Sequence, residues 1–291
     1  MPLPPFEFAG ARAVLTGAAS GMGEQMAYQL AARGTALVLV DRDADRLAAV
    51  AGRIRQEHPD LEVRTEVVDL ADAAAVDALV ERVVAAVPSV ELLVNNAGVA
   101  LGGAFLDLTA EEFDWVQAIN FRAPVALCRG FLASGALGPG GHVVNVSSLF
   151  GLIGPPGQSA YSASKFALRG FSEVLRHELA PLGTGVTVVH PGGIRTRIAE
   201  SARVAASAEP EEAERGKAAF EKLLTYPADR AATVILDAVQ RRRGRVLVAF
   251  SAVAPDLLAR LAPSRYMRVL ALLTPRAARQ AGGLGRARAR R

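Results

Sequence analysis

Thr16-Gly17-Ala18-Ala19-Ser20-Gly21-Met22-Gly23 joins a short apolar run, Ala13–Thr16, to a helical stretch, Glu24–Arg33. This joint decides the fold, because it places a strand, a glycine-rich turn and a helix in direct succession. Glycines let a backbone approach a ligand closely, and a helix N-terminus offers N–H groups and a positive dipole to a phosphate group. The spacing G-x3-G-x-G departs from G-x-G-x-x-G, so the turn by itself also fits a tight strand-to-helix connection.

Outward from the turn, apolar runs of strand type alternate with helical stretches. The predicted strands are Ala13–Thr16, Ala36–Val40, Leu61–Val68, Leu92–Val94, His142–Val146, Val186–Val189 and Arg245–Phe250. The predicted helices are Glu24–Arg33, Asp43–His58, Val76–Val87, Glu111–Leu137, Ala160–Leu179 and Arg230–Arg241. Short joints between such units predict a parallel sheet, because each right-handed crossover covers a sheet face with its helix. The predicted fold class is α/β, a single doubly wound Rossmann-type domain with a seven-stranded parallel sheet.

Two segments depart from this alternation. Arg195–Tyr226 lacks strand character and is rich in Ala and Glu, so it predicts a helical lid before the last strand. Asp256–Leu273 interleaves leucines with arginines and is broken at Pro263, which predicts an amphipathic C-terminal helical extension. The predicted parts are a main domain over 1–254 with the lid at about 195–226, the extension over 255–275, and a basic, flexible tail over 276–291.

The composition excludes several classes of protein. With 51% hydrophobic and 21% charged residues among 291, the chain is not disordered, collagen-like or a coiled coil. The single cysteine, Cys128, cannot form an intramolecular disulfide, and the N-terminus shows no secretory signal, so a cytoplasmic location is expected. One cysteine and four scattered histidines predict no metal site.

The positive charge is concentrated at the end of the chain. Residues 276–291 carry six arginines and no acid, and removing them from the net charge of +4 leaves −2 for residues 1–275. Since the basicity belongs to the tail, we expect no nucleic-acid partner.

Asp41 ends the second predicted strand, 18 positions after Gly23. A carboxylate at that point would accept hydrogen bonds from both adenosine ribose hydroxyls of a dinucleotide and would repel a 2′-phosphate, which favours NAD over NADP. The same carboxylate could instead only cap the helix that begins near Asp43. Arg42 keeps NADP open, because an arginine beside the ribose accommodates a 2′-phosphate.

Polar residues close two further strands. Asn95-Asn96-Ala97-Gly98 and Asn145-Val146-Ser147-Ser148 lie at the sheet edge where open α/β sheets bind ligands. Tyr161 and Lys165 follow on a helix, four residues apart and therefore on one face. A phenol with a pKa of about 10 is a poor base at neutral pH, but a nearby ammonium and an oxidised nicotinamide favour the phenolate. The pair therefore predicts acid–base catalysis.

Together these motifs resemble the short-chain dehydrogenase/reductase family from about Gly10 to Phe250. The glycine turn, the Asn-Asn-Ala-Gly segment, Ser148 and, thirteen residues later, Tyr161 with Lys165 follow the family's order and spacing. The resemblance implies an NAD(P)-dependent alcohol dehydrogenase or ketoreductase of class EC 1.1.1, with residues 1–254 as its dinucleotide-binding catalytic domain. The alternative is a catalytically silent NAD(P)-binding regulatory or scaffold protein of the same fold.

The resemblance implies a catalytic set of four residues. Tyr161 would exchange a proton with the substrate oxygen, and Ser148 would orient and polarise that oxygen. Lys165 would bind the nicotinamide ribose and lower the tyrosine pKa, and Asn120 would hold a proton-relay water. Ser147 competes with Ser148 for its role, and the thirteen-residue spacing to the tyrosine selects Ser148.

The resemblance also implies the cofactor contacts. These are Gly17, Ser20, Gly21, Met22, Gly23, Asp41, Arg42, Asp69, Leu70, Asn96, Gly98, Tyr161, Lys165, Pro191, Gly192, Ile194 and Thr196. No basic residue precedes Gly21 in the turn, and basic residues there accompany NADP preference in the family. NAD is the preferred cofactor, with NADP as the alternative.

The family builds its substrate pocket from the loop after the fifth strand and from the lid. Both are apolar here: the loop carries Phe150, Leu152 and Ile153, and the lid carries Ile198, Val204, Phe220, Leu223 and Leu224. These side chains favour a lipophilic secondary alcohol or ketone as substrate, unless they only bury the lid against the body.

The expected protein partner is a second copy of the chain. By resemblance, helices 111–137 and 160–179 pair with their copies into a homodimer or homotetramer. The extension after residue 254 would cover the pocket, pack on the body or a sister subunit, or lie on an anionic membrane surface with its arginines outward.

Overall fold

The computed structural model describes residues 3–198, 202–207, 218 and 221–273. Its main sheet consists of β1 Arg12–Thr16, β2 Ala36–Asp41, β3 Val63–Val67, β4 Leu92–Asn95, β6 His142–Val146, β7 Gly185–Pro191 and β9 Arg245–Val248. Two short strands, β5 Leu101–Gly102 and β8 Arg203–Val204, pair with each other. The helices are α1 Gly21–Ala32, α2 Ala44–Glu57, α3 Ala73–Ala86, α4 Ala110–Gln117, α5 Ala123–Ala133, α6 Ser159–Leu179, α7 Ala228–Gln240, α8 Phe250–Leu261 and α9 Tyr266–Leu273.

The main sheet has seven parallel strands in the order β3-β2-β1-β4-β6-β7-β9. Strands β6 and β7 are buried along their whole length, as their continuous apolar runs require when helices cover both sheet faces. The prediction of an α/β fold with a doubly wound, seven-stranded parallel sheet is confirmed.

Helices form one layer on each face of the sheet. On one face, α1, α2 and α7 contribute a core that includes Met26, Leu30, Leu47, Ile54 and Ile235. On the other face, α3, α5 and α6 contribute Val76, Leu79, Leu127, Phe131 and Leu175. Because both layers pack on the same sheet, the strands are held in fixed register and their carboxyl ends form one rigid edge.

The order of strands reverses between β1 and β4. From β1 the chain proceeds outward through β2 and β3, and it then returns to place β4 on the other side of β1. A crevice opens at such a point, because the loops after the two strands leave in opposite directions. The glycine turn follows β1, and Asn96 follows β4, so both lie at this crevice.

The predicted long helix over 111–137 is interrupted. Helices α4 and α5 are joined by a π-helical turn, Ala118–Arg122, and α5 ends at Ala133, just before Gly135 with its φ of +75°. A π turn is a local change in the hydrogen-bond spacing of the backbone, and one such turn is too short to stand out in the apolar pattern of residues 111–137.

The described part of the lid differs from the predicted helices. Arg203–Val204 forms strand β8, and the guanidinium of Arg203 lies 3.9 Å from the ring centroid of Trp115 on α4. The expected absence of strand character is therefore wrong for this stretch, because a two-residue pairing with Leu101–Gly102 leaves no periodicity to read. Lid residues 199–201, 208–217 and 219–220, Phe220 among them, lie outside the described residues.

The C-terminal extension packs against the body of the domain. Helices α8 and α9 are separated near Pro263, as predicted, and Asp256 of α8 pairs with Arg245 of β9 at 2.7 Å. Among the described helices, none combines the length and apolar character needed to cross a bilayer. The predicted tail over 276–291 lies outside the described residues.

Candidate active site

A single continuous cleft of about 560 Å³ runs along the carboxyl edge of the sheet. Asp41 and Arg46 line one end, the glycine turn lines the middle, and Ser148 with Tyr161 lines the other end. Cavities of ~300–1,000 Å³ are typical of small-molecule and cofactor sites. Of the predicted site residues, all line this cleft except Gly23 and Asn120, which lie behind its wall.

The glycine turn is fixed by contacts with the segment after β4. The Asn96 amide donates to the carbonyl oxygens of Thr16 at 2.9 Å and of Gly17 at 3.2 Å. The Thr16 hydroxyl in turn accepts from the main-chain N–H groups of Asn96 and Ala97. The side chain of Asn96 therefore shapes the turn, a role that is additional to the predicted cofactor contact.

Gly17 and Gly23 of the turn are each required as glycine, for two different structural reasons. Gly17 has a φ of +68°, which disfavours residues with a Cβ. Gly23 is buried at the start of α1, where a Cβ would overlap the carbonyl oxygen of Gly17. Gly23 thus allows close packing of helix on turn and does not line the cleft, and its cofactor contact stays a prediction.

The N-terminus of α1 has the features of an anion-binding site. Its N-cap residue, Ser20, makes no side-chain capping hydrogen bond, whereas α2 is capped by Asp43 and α3 by Asp72. Uncapped N–H groups need an acceptor, and the helix dipole favours a negatively charged one. The turn and helix end therefore fit the pyrophosphate of a dinucleotide.

Asp41 bounds the far end of the cleft. Its carboxylate accepts hydrogen bonds from the N–H groups of Ala19 and Asp43, each at 3.0 Å, and so links the glycine turn to the start of α2. The predicted capping alternative is met by Asp43, whose side chain accepts from the Arg46 N–H. Arg42 is exposed and lines the same end as Arg46.

Asp69 and Leu70 follow β3 and form the side wall next to Asp41. Leu70 is buried, whereas Asp69 is exposed and accepts a hydrogen bond from the Ala71 N–H at 2.9 Å. An apolar side chain beside an exposed carboxylate fits an adenine ring, which has apolar faces and polar edges.

Tyr161 and Lys165 stand on α6 at the other end of the cleft. Both are buried, with 8% and 3% exposure, and the Lys165 ammonium lies 5.8 Å from the centroid of the Tyr161 ring. The ammonium donates to the carbonyl oxygen of Val146 at 3.0 Å. Two residues four apart on one helix thus reach the cleft together, as their spacing predicts.

Burial controls the protonation of this pair. It raises the pKa of the Tyr161 phenol above its ordinary value, and a hydrogen bond with Ser148 opposes the rise. Burial also lowers the pKa of the Lys165 ammonium to about 8, which leaves it charged at neutral pH. The lowered tyrosine pKa expected from the sequence is not reached in the protein alone, because desolvation of the phenolate outweighs the hydrogen bond with Ser148.

The two serines after β6 have different surroundings. The Ser147 hydroxyl donates to the Lys165 carbonyl oxygen at 2.8 Å and ties the strand end to α6. The Ser148 hydroxyl accepts from the Phe150 N–H at 3.1 Å, and the Phe150 ring packs edge-on against Tyr161. Since a hydroxyl has one hydrogen to donate, Ser147 is committed to the helix, while the hydrogen of Ser148 serves Tyr161 on the cleft side.

His190, on β7, was not among the predicted site residues. Its Nδ1 lies 3.1 Å from the Ser148 carbonyl oxygen, which can only accept, so Nδ1 carries the hydrogen. Burial lowers the pKa of His190 to about 4 and keeps the ring neutral. Nothing in the local sequence pairs a strand histidine with a serine 42 positions earlier.

Asn120 occupies the π turn behind the cleft wall. Its amide oxygen accepts from the Val99 N–H, and its amide nitrogen donates to the Val99 carbonyl oxygen and the Ser164 hydroxyl. A Cβ on Gly98 would lie 3.2 Å from the Lys165 ammonium and 3.3 Å from the Asn120 amide oxygen. Gly98 therefore leaves room for the Lys165 ammonium at the cleft and for the Asn120 side chain behind its wall.

Pro191-Gly192-Gly193-Ile194 turns beneath the cleft after β7. A Cβ on Gly192 would overlap the Ser251 hydroxyl, and the Gly193 N–H donates to that hydroxyl at 3.1 Å. Thr196 packs against Gly21, where a Cβ would come within 3.0 Å of the threonine Cβ. The segment after β7 is thereby pressed against the glycine turn from the opposite wall.

Two of the polar strand ends lie below the cleft and not in it. The Asn95 amide donates to the Asn145 side-chain oxygen at 2.8 Å, and Asn145 donates to the Ser172 hydroxyl at 2.9 Å. Both asparagines are buried at 1% exposure or less. Of these polar strand ends, Asn96 and Ser148 line the cleft, whereas Asn95 and Asn145 support it from below, because alternate strand residues point to opposite faces of the sheet.

The chain compares closely with known proteins. A profile of the short chain dehydrogenase family matches residues 11–206. The chain belongs to the short-chain dehydrogenase/reductase family. This short-chain dehydrogenase/reductase shares 39% identity over 267 residues with SadH of Mycobacterium tuberculosis, a protein named as an oxidoreductase, and the match covers 91% of this chain and 95% of SadH.

Solved structures of the family agree with this fold. A short-chain dehydrogenase/reductase from Burkholderia phymatum in complex with NAD has a TM-score of 0.79 and 28% identity, covering 93% of this chain and 97% of that one. A short-chain dehydrogenase from Burkholderia cenocepacia in complex with NADP has a TM-score of 0.72 and 31% identity, covering 85% and 100%. One neighbour binds NAD and the other NADP, so the likeness supports a nicotinamide cofactor without separating the two.

Proposed function

We propose that this short-chain dehydrogenase/reductase interconverts a secondary alcohol and a ketone with NAD(P), using Tyr161 as the general acid and base. The observation that carries the proposal is one cleft that joins an uncapped helix N-terminus at the glycine turn to Ser148, Tyr161 and Lys165 at its other end. A dinucleotide bound along this cleft would place its nicotinamide ring at the end where the Tyr161 phenol and the Lys165 ammonium lie.

Ser148 and Tyr161 would bind the substrate oxygen. The Ser148 hydroxyl has its hydrogen on the cleft side and is held by the Phe150 N–H, so it can donate to a carbonyl oxygen and polarise it. Tyr161 would give its proton to that oxygen in reduction and take it back in oxidation. The nicotinamide, when bound, supplies or accepts the hydride at the substrate carbon.

Lys165 would control the protonation of Tyr161. With a pKa of about 8, its ammonium is charged at neutral pH and favours the phenolate that oxidation of an alcohol requires. The raised pKa of Tyr161 keeps the phenol protonated in the protein alone, which suits proton donation to a ketone. An oxidised nicotinamide would add a second positive charge near the phenol and so favour the base form.

Apolar side chains support a lipophilic substrate. Leu149, Phe150, Ile198, Leu223 and Leu224 line the cleft around Ser148 and Tyr161. Leu152 and Ile153, predicted with them, are instead buried at 7% and 4% exposure and do not line the cleft. We expect an alcohol with an alkyl or ring substituent to bind better than a short polyol, because its burial removes apolar surface from water.

The central experiment is a turnover assay on a panel of short polar, long aliphatic and steroid-like alcohols and ketones with Tyr161→Phe. The variant keeps the aromatic ring but lacks the hydroxyl group that carries the transferred proton. We therefore expect kcat/KM to fall about 10²–10⁴-fold, while NADH binding, followed by fluorescence, is retained. Tyr28→Phe, far from the cleft on α1, serves as the matched control. Turnover that is unchanged in Tyr161→Phe contradicts the assignment.

The same assay separates an enzyme from a silent binder. If the wild-type chain binds NADH but converts none of the panel, the catalytically silent alternative is favoured. Activity confined to small polar polyols would contradict only the lipophilic substrate and leave the reaction intact.

The carboxylate of Asp41 supports a preference for NAD. It lies at the end of the cleft opposite Tyr161, where a 2′-phosphate would meet its negative charge. Asp41→Asn should lower the ratio of kcat/KM for NAD over NADP by at least about tenfold, since like-charge repulsion is removed. Asp45→Asn, in the first turn of α2, is the control. If the wild-type chain prefers NADP, cofactor selection would instead be assigned to Arg42 and Arg46, which would bind the 2′-phosphate.

A further inference from the structure

Helix α8 carries an apolar stripe that faces away from the domain. We define the exposed stripe as Phe250, Val253, Leu257 and Leu261, whose exposures are 81%, 41%, 55% and 75%. Their spacing of three and four residues places them on one side of the helix. The opposite side is held against the body by Ala252, which is fully buried, and by Asp256, which pairs with Arg245. The packing of α8 therefore fixes the stripe outward.

The sequence that follows Asp256 is strongly basic, and the first of its arginines, Arg260, pairs with Asp256 at 3.1 Å. After Asp256 the sequence contains nine arginines and no acidic residue: Arg260, Arg265, Arg268, Arg276, Arg279, Arg286, Arg288, Arg290 and Arg291. Exposed apolar side chains and a basic sequence are the two components that hold a helix at the surface of an anionic bilayer.

We propose that the exposed stripe and the basic sequence after it dock this protein on an anionic lipid bilayer. Phe250, Leu257 and Leu261 would enter the boundary between headgroups and acyl chains, and the arginines would contact the headgroup phosphates. No described helix crosses the bilayer, so the contact is peripheral. We choose an anionic bilayer as the partner because its negative charge is complementary to the basic sequence after the stripe.

Two other occupants fit the surface less well. A second copy of the chain would add an equally basic sequence after its own Asp256, and like-charge repulsion opposes that pairing. A nucleic acid would satisfy the arginines but offers no apolar phase for the stripe. An anionic bilayer offers both an apolar phase for the stripe and negative charge for the arginines.

The docked orientation has a structural consequence for the cleft. Ser251 follows the first stripe residue directly and lines the cleft, as does Leu223, whose side chain is 64% exposed. One lining residue of the cleft is therefore adjacent in sequence to the stripe, so docking would bring this part of the cleft wall near the lipid surface.

The test is flotation of the full chain with vesicles of phosphatidylcholine alone or of phosphatidylcholine mixed with phosphatidylglycerol. The chain should float with the anionic vesicles, and added salt should weaken binding. Leu257→Ser/Leu261→Ser should lower the vesicle partition coefficient at least about tenfold, since two apolar side chains leave the lipid. The matched control is Val67→Ser/Leu182→Ser, whose residues are 56% and 62% exposed on other elements and should change binding less than about twofold.

A second variant tests the charge component. Arg286→Gln/Arg288→Gln/Arg290→Gln/Arg291→Gln should remove most of the preference for anionic vesicles, because each arginine near the surface adds to binding. The proposal fails if the full chain does not float, or if the stripe variant floats as well as the wild-type chain. It also fails if Leu257→Ser/Leu261→Ser halves the mass measured by light scattering without changing flotation, since the stripe would then join two copies. None of these measurements depends on catalytic activity.

Discussion

The hydroxyl of Tyr266, on α9, accepts a hydrogen bond from the main-chain N–H of Gly154 at 3.0 Å. Gly154 belongs to the loop between Ser148 and Tyr161, so the last described helix reaches back 112 positions to the substrate end of the cleft. The C-terminal extension is therefore a part of the wall that supports this loop.

Tyr266→Phe should loosen the loop without changing the reacting groups. The lost hydrogen bond is worth about 0.5–1.5 kcal/mol, which corresponds to a KM raised by roughly two- to tenfold with kcat nearly unchanged. Amide hydrogen exchange at residues 152–158 should be faster in the variant. Ser264→Ala, in the turn before α9, is the control, and equal exchange in the two variants would show that other contacts hold the loop.

Gly98→Ala should impair the enzyme through Lys165 and Asn120. The added Cβ would lie 3.2 Å from the lysine ammonium, so the ammonium must move away from the cleft or from the carbonyl oxygen of Val146. We expect kcat/KM to fall at least about tenfold, the scale of a misplaced catalytic group. Steady-state kinetics with the substrate identified from the alcohol and ketone panel measures this effect.

Gly52→Ala is the matched control for that substitution. Gly52 lies exposed within α2, where an added Cβ meets no atom within 4 Å. The alanine should leave activity unchanged and raise the free energy of unfolding by about 0.5–1 kcal/mol, because glycine is the more flexible residue in the unfolded chain. Wild-type kinetics in Gly98→Ala would mean that Lys165 moves aside at no cost.

Acid should destabilise the protein through its buried histidines. Burial lowers the pKa of His190 to about 4 and of His142 to about 3, whereas an unfolded histidine titrates near ~6.5. The unfolded chain therefore binds more protons between these values, and the folded state loses stability as pH falls from about 6.5 toward 4. The slope is about 1 kcal/mol per pH unit for each histidine.

Urea denaturation at several pH values measures this slope. His190→Asn keeps a donor for the Ser148 carbonyl oxygen but does not titrate in this range, so the slope should decrease. His177→Gln, at an exposed position near the end of α6, should retain the wild-type slope. A stability that does not change between pH 7 and pH 5 would contradict the neutral, buried state of both rings.

Local sequence patterns were sufficient for the architecture and for much of the cleft. Continuous apolar runs identify strands that are buried on both faces, and the helices between them require parallel neighbours. Tyr161 and Lys165 could be paired because four residues on one helix fix their relative position. The turn around Gly17 could be placed because it follows directly on the first strand.

The tertiary structure alone decided which polar groups face the cleft and which support it. Asn96 holds the glycine turn, which lies about 80 positions earlier, and His190 lies behind Ser148. Asn120 lies in a π turn that the apolar periodicity of the sequence does not indicate. Each role depends on a contact between residues distant in sequence, and no local pattern encodes such a contact.

The C-terminal extension illustrates the same division. The sequence determined that the helices around Asp256 are amphipathic and basic, but three arrangements were open: over the pocket, against a partner, or on a membrane. The packing of Ala252 and the Asp256–Arg245 ion pair decided which side of α8 faces outward. A helical pattern fixes only how side chains are arranged around an axis, whereas the rotation of that axis is set by the surface against which the helix packs.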